Sequence, residues 1–461
     1  MKELIEQIIN RVPDYKEFLT VEEMDKNSKK LADKYPEVVE VFEMGKTRDN
    51  NSLYCLKIGK GSKNGLMFGC PHPNEPIGAM MLEYFTEELA KNKELRDKLD
   101  YTWYIIKSWD VDGTKLNENW FKGPYTLYNY SRNFFRPAGH QQVDWTFPVD
   151  HKNLHFHDTI PETKAMMKLI DEIKPKFIYS LHNAGFGGVY WYLTDDTKDI
   201  YEDLKNAAKK QNVPLNLGEP EAPYVEAYAP AVYKNLGIQQ NYDYLEKYGI
   251  EHPEKVINAG TCSADYAMKL ADSFTMLTEL PYFYEERITD LSEADITRKE
   301  AVLKSIEFDE EANEFVTETL KNIEEYLDGK NPFKLALDAF TDTKKSNEAT
   351  RKMVEENKEF QRKATVAEKF DNLYIAKFYK MLSYGLLVRA SEVEIEKMNE
   401  SEKNTEKFKK LNEAFENSKK ALKDLSEYLE KEINYQVVPI KKLVSIQLEC
   451  GLIMADYLNR K

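Results

Sequence analysis

The stretch "GLMFGCPHPNEPIGAMMLEYF" (residues 65–85) decides the fold. A short apolar run stops at glycine, cysteine and proline, His72 and Glu75 follow three apart, and apolar residues then recur at helical spacing. Strand, turn and helix in that order is one step of an α/β layer, and it sets the two polar side chains just beyond the end of a strand. The same order returns along the first 290 residues. "NSLYCLKIG" (51–59), "YTWYIIKSW" (101–109), "KFIYSLH" (176–182) and "SFTMLTEL" (273–280) read as strands, while "TIPETKAMMKLIDEIKP" (159–175) and "SADYAMKLA" (263–271) read as helices. Thr159 and Glu162 stand in capping-box spacing at the head of the first of these helices. The predicted fold class is α/β, a mixed or largely parallel β-sheet flanked by helices.

Beyond Pro332 the turn formers nearly vanish: only Gly385, Pro439 and Gly451 remain, among abundant Glu, Lys, Leu and Ala. That composition predicts long helices. The first starts near Leu291, with Ser292 as its N-cap and Asp295 three residues on, and stops at "LDGKNPF" (327–333) with Gly329 in the left-handed region. "FDNLYIAKFYKMLSYGLLVRA", "NTEKFKKLNEAFENSKKALKDLSEYLEKEI" and "IKKLVSIQLECGLIMADYL" supply the others. The expected organisation is a catalytic α/β domain over 1–295 and an all-α helical bundle over 296–461, a length too great for one ordinary core. The bundle is expected to cover the site, to mediate oligomerisation or to bind a partner, and its patterning does not choose among these.

A formal charge of −15 with no Lys/Arg stripe argues against nucleic-acid binding. The amino terminus is charged throughout and no window offers an uninterrupted apolar span, so a cytoplasmic protein with no membrane segment is expected. Cys55, Cys70, Cys262 and Cys450 lie far apart and are expected to be reduced and buried.

Three chemically capable side chains close three separate strands: His72 after "GLMFG", His182 at the end of "KFIYSLH" and Glu279 near the end of "SFTMLTEL". In open α/β sheets ligands gather beyond such strand ends. A zinc ion favours imidazole nitrogen and carboxylate oxygen, three from the protein and one position left open, and His72, Glu75 and His182 offer that set. Glu279 interrupts an apolar strand and needs either a charged partner or a wet cavity. Of the remaining histidines, His155 and His157 in "HKNLHFHD" (151–158) are two apart, but that stretch reads as a polar connecting loop.

With those residues in place, the chain from about Thr20 to Glu285 resembles the zinc metallocarboxypeptidase family. The matching pieces are "KYPEVVEVFEMGKTRDNNSLYCLKIG", "HPNE", "DVDG" (110–113), "PET" (161–163), "LHNAGFGG" (181–188) and "GTCSADYA" followed by "FTMLTEL". The resemblance implies a zinc peptidase with one Zn2+ per chain, held by His72, Glu75 and His182. It implies Glu279 as general base and then proton donor, and Arg136 as the group that polarises the scissile carbonyl. Arg132, four residues earlier, competes for Arg136's place, and Arg132 and Asn183 are the residues expected to bind substrate.

The match breaks where the family grips a free carboxy terminus with an Asn-Arg pair. Here "QVDWTFP" has Thr146 and Phe147 at those positions. The family's tyrosine near the scissile bond is also absent: Val256 and Ile257 stand there, with Tyr242, Tyr244 or Tyr248 as the nearest replacements. The leading expectation is a metallocarboxypeptidase-type peptidase acting on a peptide. A deacylase or amidase acting on N-acyl amino acids or on cell-wall or side-chain peptides is the second, and a partner-binding protein with a vestigial site is the third.

Overall fold

The computed structural model describes residues 1–461, apart from the side chain of residue 271. Nine strands make one sheet: β1 (Val39–Lys46), β2 (Ser52–Ile58), β3 (Lys63–Phe68), β4 (Tyr101–Ile106), β5 (Phe177–His182), β6 (Tyr190–Leu193), β7 (Ala227–Ala229), β8 (Val232–Lys234) and β9 (Phe274–Glu279). Their spatial order is β1-β2-β4-β3-β5-β9-β6-β8-β7. The middle four, β4, β3, β5 and β9, run parallel, and antiparallel strands join them on both sides, β2 at β4 and β6 at β9. The sheet is mixed, as the alternating pattern predicts.

The central strands are buried on both faces, which is why they read as continuous apolar runs. Their side chains still sort by the two-residue period of a strand. Met67, Phe177, Tyr179 and Leu181 face one layer, where helices Ile77–Lys91 and Ile440–Asn459 pack. Leu66, Phe68 and Ile178 face the other, against Met166, Leu169, Ile170 and Ile173 of helix Pro161–Ile173 and Ala267 of helix Ser263–Ala271. His182 is even with Ile178 in this alternation, so its side chain emerges on the second face at the carboxyl end of the sheet.

The last helix, Ile440–Asn459, is a layer of this α/β unit. Tyr179 donates to the Gln447 carbonyl at 2.9 Å, and Gln447 Nε2 donates to the His182 carbonyl at 3.1 Å. Gly451 lets the helix lie flat on the sheet: a Cβ there would stand 2.6 Å from the Tyr179 ring. One hydrophobic cluster therefore crosses residue 295 and joins strand residues to Phe378, Leu386, Leu443 and Ile446.

Helix Ala376–Glu396 grips the first region elsewhere. Its Arg389, 7% exposed, donates to the carbonyls of Leu116 (2.8 Å), within helix Val111–Phe121, and of Asn133 (2.8 Å) and Phe134 (3.1 Å), at the end of helix Leu127–Asn133 that leads into the segment carrying Arg136. Gly385 allows the helix to press against the Ser131 carbonyl, with no room for a Cβ.

Four local expectations are corrected. The long helix begins at Arg298, with Thr297 and Glu300 forming the capping box; residues Glu293–Thr297, including the position after Ser292, are extended and pair with Lys363–Thr365. Thr159 does not cap helix Pro161–Ile173, whose N-cap is Ile160; the Glu162 carboxylate instead accepts from the backbone N–H and Nε of Arg48. Gly329 is not in the left-handed region, and the long helix has already ended at Ile323. The 151–158 stretch contains a short hairpin, Val149–His151 with Leu154–Phe156, and both His155 and His157 bond Asp150. Among the described residues no helix is long and apolar enough to cross a membrane.

Replacing Arg389 by Met removes its three hydrogen bonds and leaves those carbonyls without their donor. We expect Arg389→Met to destabilise the protein by at least about 2 kcal/mol in urea unfolding. An unchanged midpoint contradicts this role for the clamp.

Candidate metal and catalytic site

Strand β3 ends at Phe68, and Cys70 then adopts a positive φ of 48° that turns the chain back on itself. The turn closes when Glu75 N–H donates to the His72 carbonyl at 3.1 Å, and helix Ile77–Lys91 leaves from it. Both His72 and Glu75 are thus aimed at the carboxyl edge of the sheet. Two strands away β9 runs beside β5 with Glu279 paired to His182, so both side chains stand on the same face at that edge.

His72, Glu75 and His182 converge there, each offering a ligand atom within 4.8 Å of the others. His72 Nδ1 lies 3.1 Å from Glu75 Oε1, His182 Nδ1 lies 3.0 Å from Glu75 Oε2, and the two Nδ1 atoms are 3.3 Å apart. The protonation states suit a cation. Burial, with the nearby Arg136 charge, pushes His72 down to about 4, so its ring is neutral at pH 7. Burial alone would raise Glu75, but the charge of His72, protonated in the acid range where Glu75 titrates, the charge of Arg136 and the His182 hydrogen bond outweigh it and hold the carboxylate below its ordinary range. His182 Nε2 is 2.7 Å from Ser180 Oγ. A proton donated there leaves the Nδ1 lone pair facing the other two ligands, the way an outer hydrogen bond usually orients a metal-binding imidazole.

Thiolate competition is absent. Burial pushes Cys70 up to about 12 and Cys262 well above its usual range, and all four cysteines are free and buried. Two imidazoles and one carboxylate fit a zinc ion with an open fourth position.

Glu279 stands beside the cluster, its Oε1 3.7 Å from His182 Nδ1 and only 6% of its surface exposed. Burial, then the Glu221 and Glu75 charges, raise its carboxyl well above the usual range. Arg136 lines the same cavity, donating from Nε to Asn74 Oδ1 at 3.1 Å and from Nη2 to Glu75. The cavity measures ≈ 500 Å³, a size that holds a peptide-like small molecule.

The other expected substrate residues part company. Asn183 lines the cavity, but its Oδ1 accepts from Ile77 N–H and Tyr282 OH and its Nδ2 donates to the Leu280 carbonyl, so its amide braces the turn. Arg132 does not line the cavity; its guanidinium is paired with Glu392 at 2.6 Å. Of the two arginines, Arg136 is the one that lines the cavity. Thr146 and Phe147 are fully buried, the first bonded to Thr163 and the second among Trp109 and Tyr266, so neither reaches the cavity. Tyr242, Tyr244 and Tyr248 do not line it either.

Several lining residues escape the sequence. Asp144 caps helix Ser263–Ala271 by accepting from Ser263 N–H at 2.7 Å. Glu221 enters from the loop before β7, and Phe340, Tyr379, Lys380, Leu382 and Ser383 enter from the carboxy-terminal helices. No local signal marks them, since only the packing of helix Ala376–Glu396 across the cleft brings that face to the metal ligands.

Comparison with known proteins agrees with this architecture. A family model described as zinc carboxypeptidase matches residues 24–291, more than half of the chain. Mast cell carboxypeptidase A of Mus musculus is 33% identical over 114 residues, covering 23% of this chain and 27% of that protein, and the Homo sapiens protein of the same name is 31% identical over 114 residues. The chain thus spans about a quarter of the curated relatives it matches. Among solved structures, the carboxypeptidase A from Helicoverpa armigera is 16% identical, with a TM-score of 0.36, over 61% of this chain and 71% of its own. A metallo-carboxypeptidase from Burkholderia cenocepacia is 14% identical, with a TM-score of 0.35, over 59% and 61%. The fold is a mixed sheet flanked by helices of the carboxypeptidase kind, followed by a helical region, and by its match over residues 24–291 the chain belongs to the zinc carboxypeptidase family.

Proposed function

We propose that the protein is a zinc-dependent hydrolase that cleaves an amide bond, of the metallocarboxypeptidase type, with His72, Glu75 and His182 as ligands of one zinc ion. The observation that carries this reading is the convergence of two imidazoles and a carboxylate beside a second, buried carboxylate. A zinc ion held there supplies Lewis acidity, which makes water acidic near neutral pH and polarises a carbonyl.

The chain's own residues supply the proton traffic. Glu279 takes a proton from water at the cluster as the water oxygen bonds to the carbonyl carbon. It then gives that proton to the nitrogen as the carbon–nitrogen bond breaks, releasing an amine and a carboxylic acid. The high proton affinity that burial confers on Glu279 suits the second step, and burial excludes bulk water that would compete for it. Arg136 Nη1 makes no hydrogen bond among the described residues and is the donor available to the developing oxyanion.

One observation favours a second reading of the substrate. Thr146 and Phe147 are turned into the core, and both non-histidine cations lining the cavity are already paired: Arg136 with Glu75 and Lys380 with Asp309. A substrate with a free carboxy terminus would find no unpaired Lys or Arg among the described residues that line the cavity. An amidase reading, acting on a side-chain or cell-wall amide with no free carboxy terminus at the site, fits that charge pattern.

His72→Ala is expected to lose stoichiometric zinc in a metal-content assay of the purified protein, while wild type retains about one ion per chain. Retention of one zinc by the variant removes His72 from the site. Glu279→Gln is expected to keep its zinc and lose at least about 10² in turnover on a panel of peptides with free and amidated carboxy termini. Undiminished turnover excludes Glu279 from the mechanism. Cleavage that survives amidation favours the amidase reading; cleavage abolished by amidation favours the carboxypeptidase one.

A further inference from the structure

The cavity continues past Glu279 along the sheet. Tyr190 on β6 is paired with Glu279 on β9, and Tyr192 with Leu277, with the Thr278–Trp191 pair between them, so the four side chains share one face. Both tyrosine hydroxyls reach outward to one carboxylate: Tyr190 OH donates to Glu221 Oε1 at 2.5 Å and Tyr192 OH to Oε2 at 3.1 Å. These are neutral donors. Glu221 is exposed, and among the described residues no Lys, Arg or His pairs with it.

The carboxylate is held in place from the carboxy-terminal region. Two residues earlier, Glu219 takes a two-pronged hydrogen bond from Arg298, its Oε1 accepting from Nε at 2.9 Å and its Oε2 from Nη2 at 2.5 Å, and its N–H donates to Asp371 Oδ2 at 2.8 Å. Helix Ala376–Glu396 then lays Tyr379 into the same cavity, 42% exposed and with no hydrogen-bond partner for its hydroxyl among the described residues. A fixed carboxylate with uncommitted valence, next to an open aromatic ring, recognises a cation by charge and by the ring face together.

We propose that Glu221 and Tyr379, with Tyr190 and Tyr192 fixing the carboxylate, form a subsite for a cationic group, an ammonium or guanidinium, on the part of the substrate beyond the reacting amide. The subsite explains why the cavity has no unpaired cation: its recognition charge is negative. It also gives the carboxy-terminal helices a task, since they anchor the Glu221 loop and supply Tyr379. The word substrate rests on the hydrolase reading above, but cation binding at Glu221 needs no metal.

The test uses three probes of matched size: N-acetyl-lysinamide, N-acetyl-norleucinamide and N-acetyl-norleucine, which carry a positive, no and a negative charge. Each is titrated by calorimetry into the full-length protein, with and without added zinc. N-acetyl-lysinamide is expected to bind at least tenfold more tightly than the neutral amide in both states. Glu221→Gln should shrink that preference to within about twofold, and Tyr379→Ala should weaken the cationic probe about threefold. Equal binding of the three probes, preference for the carboxylate, or a lysinamide preference that survives Glu221→Gln overturns the proposal, and unchanged affinity in Tyr379→Ala overturns the helix's share in it. Loss of the preference in a protein that still holds zinc and cleaves amides defeats this inference alone. A preference in a protein with neither leaves the subsite standing and defeats the hydrolase reading.

Discussion

The structure depends on how a single buried carboxylate is neutralised. Glu75 is 1% exposed, at the mouth of a turn between a strand and a helix that are themselves fully packed. A carboxylate so placed is costly unless charges and hydrogen bonds surround it. Its partners come from three places in the chain: His72 from the same turn, His182 from the neighbouring strand β5, and Arg136 from the segment after helix Leu127–Asn133. The sheet order that sets β3 beside β5, and the register that pairs β5 with β9, are what make this meeting possible.

The helical region completes that arrangement. Arg389 fixes the backbone leading to Arg136, Gln447 holds the carbonyl of His182 itself, and Arg298 holds the loop of Glu221. Each is a donor from beyond residue 295 used on backbone or carboxylate groups near the site. A site must be held to within a fraction of an ångström by the residues around it, and here the carboxy-terminal helices supply part of that surrounding layer, beside Ser180, Asn74 and Asn183.

Much of this was legible in the amino-acid sequence, and the reason is local. His72, His182 and Glu279 stand where apolar runs stop, and a strand end is a feature of a few neighbouring residues. The mixed sheet followed from the same alternation of periods. What escaped depends on contacts distant along the chain. Helix amphipathicity marks Ile440–Asn459 as packed without naming the sheet as its partner, which only the fit of Gly451 on Tyr179 decides. Glu221 and Tyr379 lie in stretches with no distinctive spacing and acquire meaning from the register of β6 on β9 and the crossing of helix Ala376–Glu396. The Ser292 cap failed because Glu293–Thr297 found a remote strand partner in Lys363–Thr365, and such a pairing overrides a local capping signal.

X-ray absorption at the zinc edge tests the central claim most directly, because it reads the ligand atoms themselves. The zinc-loaded protein is expected to show only nitrogen and oxygen neighbours at about 2.0–2.1 Å, with the outer-shell pattern of two imidazoles. A sulfur neighbour at about 2.3 Å, or the pattern of a single imidazole, would contradict the assignment of His72, Glu75 and His182 as the metal-binding set.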